Sequence, residues 1–136
     1  IIESLPSRKF TGYLPEEVPG ILAELRERGY LLGIISNWPP TLETYCQELG
    51  IADYFEFILA SEAVGVSKPN PRIFQMALEH LSVAPTEALH VGDNYYADVI
   101  GARRAGMQAI LLDRHGIFPQ ADCHRLQELG ELLGLL

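Results

Sequence analysis

An α/β fold with a mostly parallel sheet covered on both faces follows from two features of the sequence. Short apolar runs alternate with stretches whose apolar residues recur at helical spacing, and the turns between them are brief. Such alternation builds right-handed crossovers between parallel strands.

The elements follow in order. Residues 15–29 place Val18, Ile21, Leu22 and Leu25 at i, i+3, i+4 and i+7, an amphipathic helix that Gly29 stops. Glu24 and Arg28, four apart, suit its exposed face. Residues 31–35 are an apolar run ending in Ser36-Asn37, the pattern of a strand buried on both sides. Residues 41–49 predict a second helix with Leu42, Tyr45, Cys46 and Leu49 on one side and Gly50 as terminator. Residues 57–60 are a second candidate strand. Asn70 can cap a third helix with Pro71 at its first position, where the missing N–H costs nothing; Phe74, Ala77, Leu78 and Leu81 supply its buried face. Residues 88–91 predict a third strand, followed at once by Gly92-Asp93 and a helix over residues 96–105 that Gly106 ends. Residues 108–112 are a fourth strand, and Leu126, Leu129, Leu133 and Leu136 predict a closing helix.

With 136 residues, 48% hydrophobic and 21% charged, the chain is long enough for one globular domain with a core. Its net charge of −8 and pI of about 4.9 have the wrong sign for a nucleic-acid partner or an anionic membrane surface, which leaves a small substrate. A phosphorylated one would need a local cation. Cys46 and Cys123 form no CxxC pattern or disulfide framework, and a reducing, cytoplasmic setting is expected. No apolar run reaches the length of a membrane span, and residues 1–9 lack the pattern of a secretory signal. An opening on Ile1, with Met76 and Met107 the only methionines, is expected of a chain from which an upstream part was removed.

In open parallel sheets, ligands bind beyond the carboxyl ends of the strands, where loops and helix starts converge. After the first predicted strand comes Ser36-Asn37, after the second Ser67-Lys68-Pro69, and after the third Gly92-Asp93-Asn94-Tyr95-Tyr96-Ala97-Asp98. A hydroxyl, an ammonium and a carboxylate pair are thus expected along one rim. Taken singly, each has a plainer reading. Ser36-Asn37 could be a turn or a cap, Lys68 a solvated charge, Asp93 or Asn94 a helix cap, and Asp98 a partner of the helix dipole.

The ordered set resembles the haloacid dehalogenase superfamily, whose motifs are a Ser or Thr ending an apolar strand, a Lys often followed by Pro, and a Gly-Asp with a second Asp five positions on. Here these are Ser36, Lys68, and Asp93 with Asp98. Flanking residues 66–74 and 101–107 resemble the family too, and the likeness runs from about Leu14 to Leu112. It implies a Rossmann-like three-layer sandwich and a Mg²⁺-dependent phosphatase acting on a small organic phosphate. Residues 14–136 would be a partial catalytic core, and residues 1–13 the trailing edge of a cap or linker.

The residue types suit phosphoryl transfer, where fixed donors, a cation and a metal stabilise charge on the equatorial oxygens. Ser36 Oγ and the Asn37 backbone N–H can donate to a phosphoryl oxygen, and Lys68 can place a point charge there. Asp93, with Asp98 in support, suits Mg²⁺, a hard cation that keeps several waters.

Members of the family carry an Asp-x-Asp motif on a first, central strand, its first Asp attacking phosphorus. None of the 136 residues forms such a motif. The sheet is therefore expected to be incomplete between the strands ending at Ser36 and Val91, and to be filled by another chain or by swapping between copies, because unpaired ladders are costly when buried. Two other readings stand beside the phosphatase: a dehalogenase acting on a 2-haloacid without a metal, and a non-catalytic module that keeps the scaffold for binding. His80, His90, His115 and His124 lack metal-ligand spacing, and His90 within its strand reads as a packed core histidine. Tyr95 and Tyr96 could line a substrate entrance or pack at the rim; Trp38-Pro39-Pro40 could shape the pocket or be a plain turn.

Overall fold

Alternation along the strands sorts the core into two layers. In β2 (Gly33–Ser36), Ile34 packs with α1 (Val18–Glu27) and α2 (Leu42–Glu48), while Ile35 faces α4 (Pro71–Leu81) on the other side. The first layer gathers Ile21, Leu22, Leu25, Leu42 and Cys46, and the second Ile73, Phe74, Ala77, Leu78 and Leu81. The result is the expected three-layer α/β sandwich.

The computed structural model describes residues 2–3 and 16–136. The sheet holds β1 (Ile2–Glu3), β2, β3 (Phe57–Ala60), β4 (Leu89–Gly92), β5 (Gln108–Leu112) and β6 (His124–Leu126), in the order β3-β2-β1-β4-β5-β6. All its pairings are parallel. The helices expected at residues 15–29, at 41–49 and after Asn70 form with small shifts of their ends. Gly29 and Gly106 adopt φ of 94° and 82° just past α1 and past α5 (Gly101–Arg104), the left-handed turn that glycine takes without strain. Asn70 caps α4 by accepting from the Arg72 N–H at 2.9 Å. A short α3 (Ser61–Val64) follows β3 directly.

Three expectations need correction. The central slot was expected to be filled from another chain or a swapped copy; Ile2–Glu3 occupies it, pairing with Gly33 and Ile34 on one side and His90 and Val91 on the other. The buried ladders find a partner within the chain, as unpaired backbone groups require. Among the described residues, Ile2 and Glu3 pair with Gly33 and Ile34 of β2 and with His90 and Val91 of β4. The other residues of the 1–13 cap or linker expectation, and the start of the first helix at Pro15, lie outside the described residues.

The helix expected over 96–105 is a wide π-turn at Tyr95–Ile100 followed by α5. Asn94 opens it with its side chain accepting from Ala97 N–H at 2.9 Å and its carbonyl from Asp98 N–H at 2.8 Å. Finally, Leu126 belongs to β6 instead of a closing helix. It pairs beside β5, and its carbonyl accepts from the Asp113 N–H at 2.6 Å, so that open strand edge is covered. Leu129 and Leu132 then bury themselves from a 3₁₀ turn, Leu129–Gly134, whose Gly130 and Gly134 disfavour a regular helix.

Candidate active site

From β1 the chain steps outward to β2 and β3, then crosses back to β4. The crevice at that reversal, beyond the carboxyl ends of β1 and β4, is where doubly wound sheets hold ligands. Loops from β2, β3 and β4 meet beside it.

Ser36 closes β2 and is buried. The side chain of Asn37 grips the main chain of Lys68 twice: Lys68 N–H donates to Asn37 Oδ1 at 2.9 Å, and Asn37 Nδ2 donates to the Lys68 carbonyl at 3.1 Å. This amide ties the lysine loop to the end of β2. The Lys68–Pro69 peptide is cis.

Lys68 turns inward. Its Nζ donates to Asp98 Oδ1 at 2.6 Å, with the two side chains only 4% and 1% exposed. The same oxygen lies 2.9 Å from His90 Nε2, and Asp98 Oδ2 accepts from the Asn94 N–H at 3.0 Å. Three donors from separate segments therefore hold one buried carboxylate. Burial alone would lift the Asp98 pKa, but the Lys68 ammonium and the His90 hydrogen bond outweigh it and hold the carboxyl well below the usual carboxylate range.

Gly92 makes this packing possible. A Cβ on it would lie 2.1 Å from Asp98 Cγ and 2.3 Å from Oδ2. His90 and Gly92 are two apart on β4 and share a face, so Asp98 rests over the bare glycine and reaches the histidine one step lower.

Asp93 is the first residue beyond β4 and keeps an exposed face. Desolvation and the charge of Asp98 push its carboxyl up, while Lys68 and Arg114 pull it down. Among the described residues, no three His, Cys, Asp or Glu side chains come together as a metal cluster. Carboxylate oxygens are donors of the kind Mg²⁺ takes, one or two of them sufficing with water completing its shell. Asp93 offers accessible oxygens; Asp98 has both of its oxygens engaged by protein donors.

The other candidate residues make packing and tethering contacts. Tyr95 donates its hydroxyl to Asp122, which Arg103 also grips at 3.0 Å, and Arg104 lies 5.6 Å over the exposed Tyr96 ring. Trp38 is buried, its ring stacked on Tyr45 at 5.2 Å and its backbone N–H donating to Ser61 Oγ at 3.1 Å. His90 is a core histidine, edge-on to Phe74 at 4.9 Å, with the Asp98 contact added. That contact, the Asn37 clamp and the role of Gly92 were missed from sequence. The pair His90 and Gly92 on one strand face was the available signal for two of them.

A family model described as haloacid dehalogenase-like hydrolase matches residues 9–112. The phosphoserine phosphatase of Thermus thermophilus is 45% identical over 107 residues, covering 76% of this chain and 42% of that protein. A HAD phosphatase from Thermococcus onnurineus has a similar structure, with a TM-score of 0.84 and 34% identity over 90% of this chain and 57% of that one. A 2-haloacid dehalogenase from Pseudomonas syringae pv. Tomato DC3000 is likewise similar, at a TM-score of 0.80 and 34% identity over 90% of this chain and 53% of that one. The chain spans about half the length of these relatives. It belongs to the haloacid dehalogenase-like hydrolases.

Proposed function

We propose that this chain is the phosphate- and magnesium-binding half of a Mg²⁺-dependent phosphatase acting on a small organic phosphate. The observation that carries the reading is the buried Lys68–Asp98 pair at 2.6 Å, clamped by Asn37 to the end of β2 and adjoining exposed Asp93. Ser36 Oγ and the Asn37 backbone N–H donate to the phosphoryl oxygens, and Lys68 holds its ammonium toward the same group. Asp93 is the direct metal ligand, and Asp98 supports it from inside. Magnesium, when bound, supplies the Lewis acid that neutralises charge on the transferring group. The attacking aspartate comes from a segment that carries the Asp-x-Asp motif, which these 136 residues lack. Ile2–Glu3 lies in the core sheet, and residues 4–13 are read as a cap or linker segment. The free Cys46 and Cys123 suit a cytoplasmic setting. Among the described residues, no helix is long and apolar enough to cross a membrane.

The test is hydrolysis of p-nitrophenyl phosphate and phosphoserine, the latter because of the Thermus relative's name. It is run with Mg²⁺ and with EDTA, on this chain and on a polypeptide carrying an Asp-x-Asp strand ahead of it. Metal-dependent turnover only in the longer form is expected. Turnover of a 2-haloacid that persists in EDTA would favour the dehalogenase reading, which the Pseudomonas structure supports by its likeness. Inactivity of both forms would favour a binding module, the reading that gains from Ile2–Glu3 sitting in the central slot.

A further inference from the structure

We infer that His90 is a positioning residue for Lys68, acting through Asp98. The catalytic consequence rests on the phosphatase reading, whereas the contacts among Lys68, Asp98 and His90 stand without it. Lys68 Nζ and His90 Nε2 approach the same oxygen, Asp98 Oδ1, at 2.6 and 2.9 Å. An ionised carboxylate accepts only, so His90 must present Nε2 as N–H to it. His90 is 0% exposed and seated against Phe74, so it cannot swing away as a surface residue could.

The donors divide the work. The Asn94 N–H holds Oδ2, while His90 and Lys68 share Oδ1. The last torsion of an aspartate is broad and roughly two-fold, so it is set by such partners and not by a steep rotamer well. Without the His90 donor, Oδ1 loses one of its two side-chain donors, and a turn of the carboxylate shifts the oxygen that Lys68 Nζ binds. An ammonium that must meet a phosphoryl group in the transition state is sensitive to such movement, because misplacement by about 1 Å can cost on the order of 10²-fold in rate. A histidine present only for packing has no such consequence.

The test compares His90→Gln, which keeps an N–H near the Nε2 position, with His90→Leu and His90→Met, which do not, in the full gene product. The Met variant serves if the Leu variant fails to fold. Loss of the donor is expected to lower kcat by about 10- to 100-fold with KM held within about twofold, the pattern of an interaction made in the transition state. The Gln variant should recover most of the rate. In a Lys68→Met background the same change should cost less than about twofold, since coupled residues are not additive. A fall in thermal stability without a fall in kcat, or an equal loss in both backgrounds, would overturn the inference and leave His90 a packing residue.

If the wild-type protein hydrolyses no phosphomonoester, the phosphatase reading fails separately. The positioning claim is then decided by ¹⁵N NMR of the Lys68 ammonium. His90→Met should shift or broaden that signal and His90→Gln should restore it; a signal unchanged in both would overturn the claim.

Discussion

Gly92→Ala tests the site with a single methyl group. The added Cβ would stand 2.1 Å from Asp98 Cγ, 2.3 Å from Oδ2 and 2.5 Å from Asp98 Cβ. Ordinary contact between such atoms begins near 3.5 Å, so the carboxylate must retreat by roughly 1.4 Å. Retreat on that scale carries Oδ1 out of hydrogen-bond range of Lys68 Nζ, now at 2.6 Å, and of His90 Nε2, now at 2.9 Å. Breaking a buried ion pair costs about 3–5 kcal/mol, because the charges left behind are desolvated without compensation. Against a domain stability of about 5–15 kcal/mol this is a large fraction, and for a chain of this size it lowers the melting temperature by roughly 10 °C or more. Urea unfolding followed by circular dichroism measures it. A variant that unfolds within about 0.5 kcal/mol of wild type would refute the reasoning, because Asp98 would then have an equally good place to go. Phosphomonoester hydrolysis in the full gene product should fall with the stability.

Other substitutions separate the remaining roles. Asp93→Asn should raise the Mg²⁺ concentration needed for half-maximal hydrolysis by about tenfold or more, since a coordinating charge is lost while Asp98 stays in place; an unchanged metal requirement in a magnesium titration would contradict this. Asn37→Ala removes both bonds to the Lys68 main chain and should cost about 1–3 kcal/mol in denaturant unfolding. The Asp98 carboxyl is depressed in the folded state, so its contribution is fully present above the ordinary aspartate value of about 4 and is lost as the pH falls from there toward the folded value. Urea midpoints measured from pH 6 down to pH 2.5 should show that loss, and Lys68→Met should shrink it because Lys68 is the largest influence lowering that carboxyl.

The sequence reading succeeded where local rules and packing agree. Asn70-Pro71 ahead of Phe74, Ala77, Leu78 and Leu81 states a capped amphipathic helix in a form that tertiary contacts only reinforce. The strands at 57–60 and 108–112 were equally plain, because an apolar run bounded by turns has few alternatives. The tail failed for the opposite reason. Leu126, Leu129 and Leu133 fit a helical period, but the open edge of β5 offered Leu126 a hydrogen-bonded partner that no local pattern encodes. The central slot was misjudged on similar grounds: Ile2–Glu3 is too short to stand out as a strand until Gly33–Ile34 and His90–Val91 provide ladders for it. At the rim, residue types and order were legible and their division of labour was not. Asp93 and Asp98 look alike as letters, yet one faces outward and the other is enclosed, because Gly92 and His90 build a seat for the second alone.

The charges around that seat bear on why a metal belongs in the proposed mechanism. Lys68 is the buried cation of the candidate site, and it already meets Asp98 within 2.6 Å. Adding Asp93 leaves this group of three with one positive charge against two negative ones, in a protein whose net charge is −8. On the proposed reading, a phosphate ester approaching such a rim would gain hydrogen bonds from Ser36 and Asn37 but no net attraction from these ionised side chains. Arg114 lies near enough to lower the Asp93 pKa, yet burial and Asp98 prevail there and the carboxyl stays above its usual range. A divalent cation on Asp93 reverses the balance of the group from −1 to +1, and it does so next to the position where phosphoryl charge would develop. If Asp93 held such a cation, the enclosed Asp98 would serve a purpose distinct from ligation, which is to fix the Lys68 ammonium through their contact at 2.6 Å.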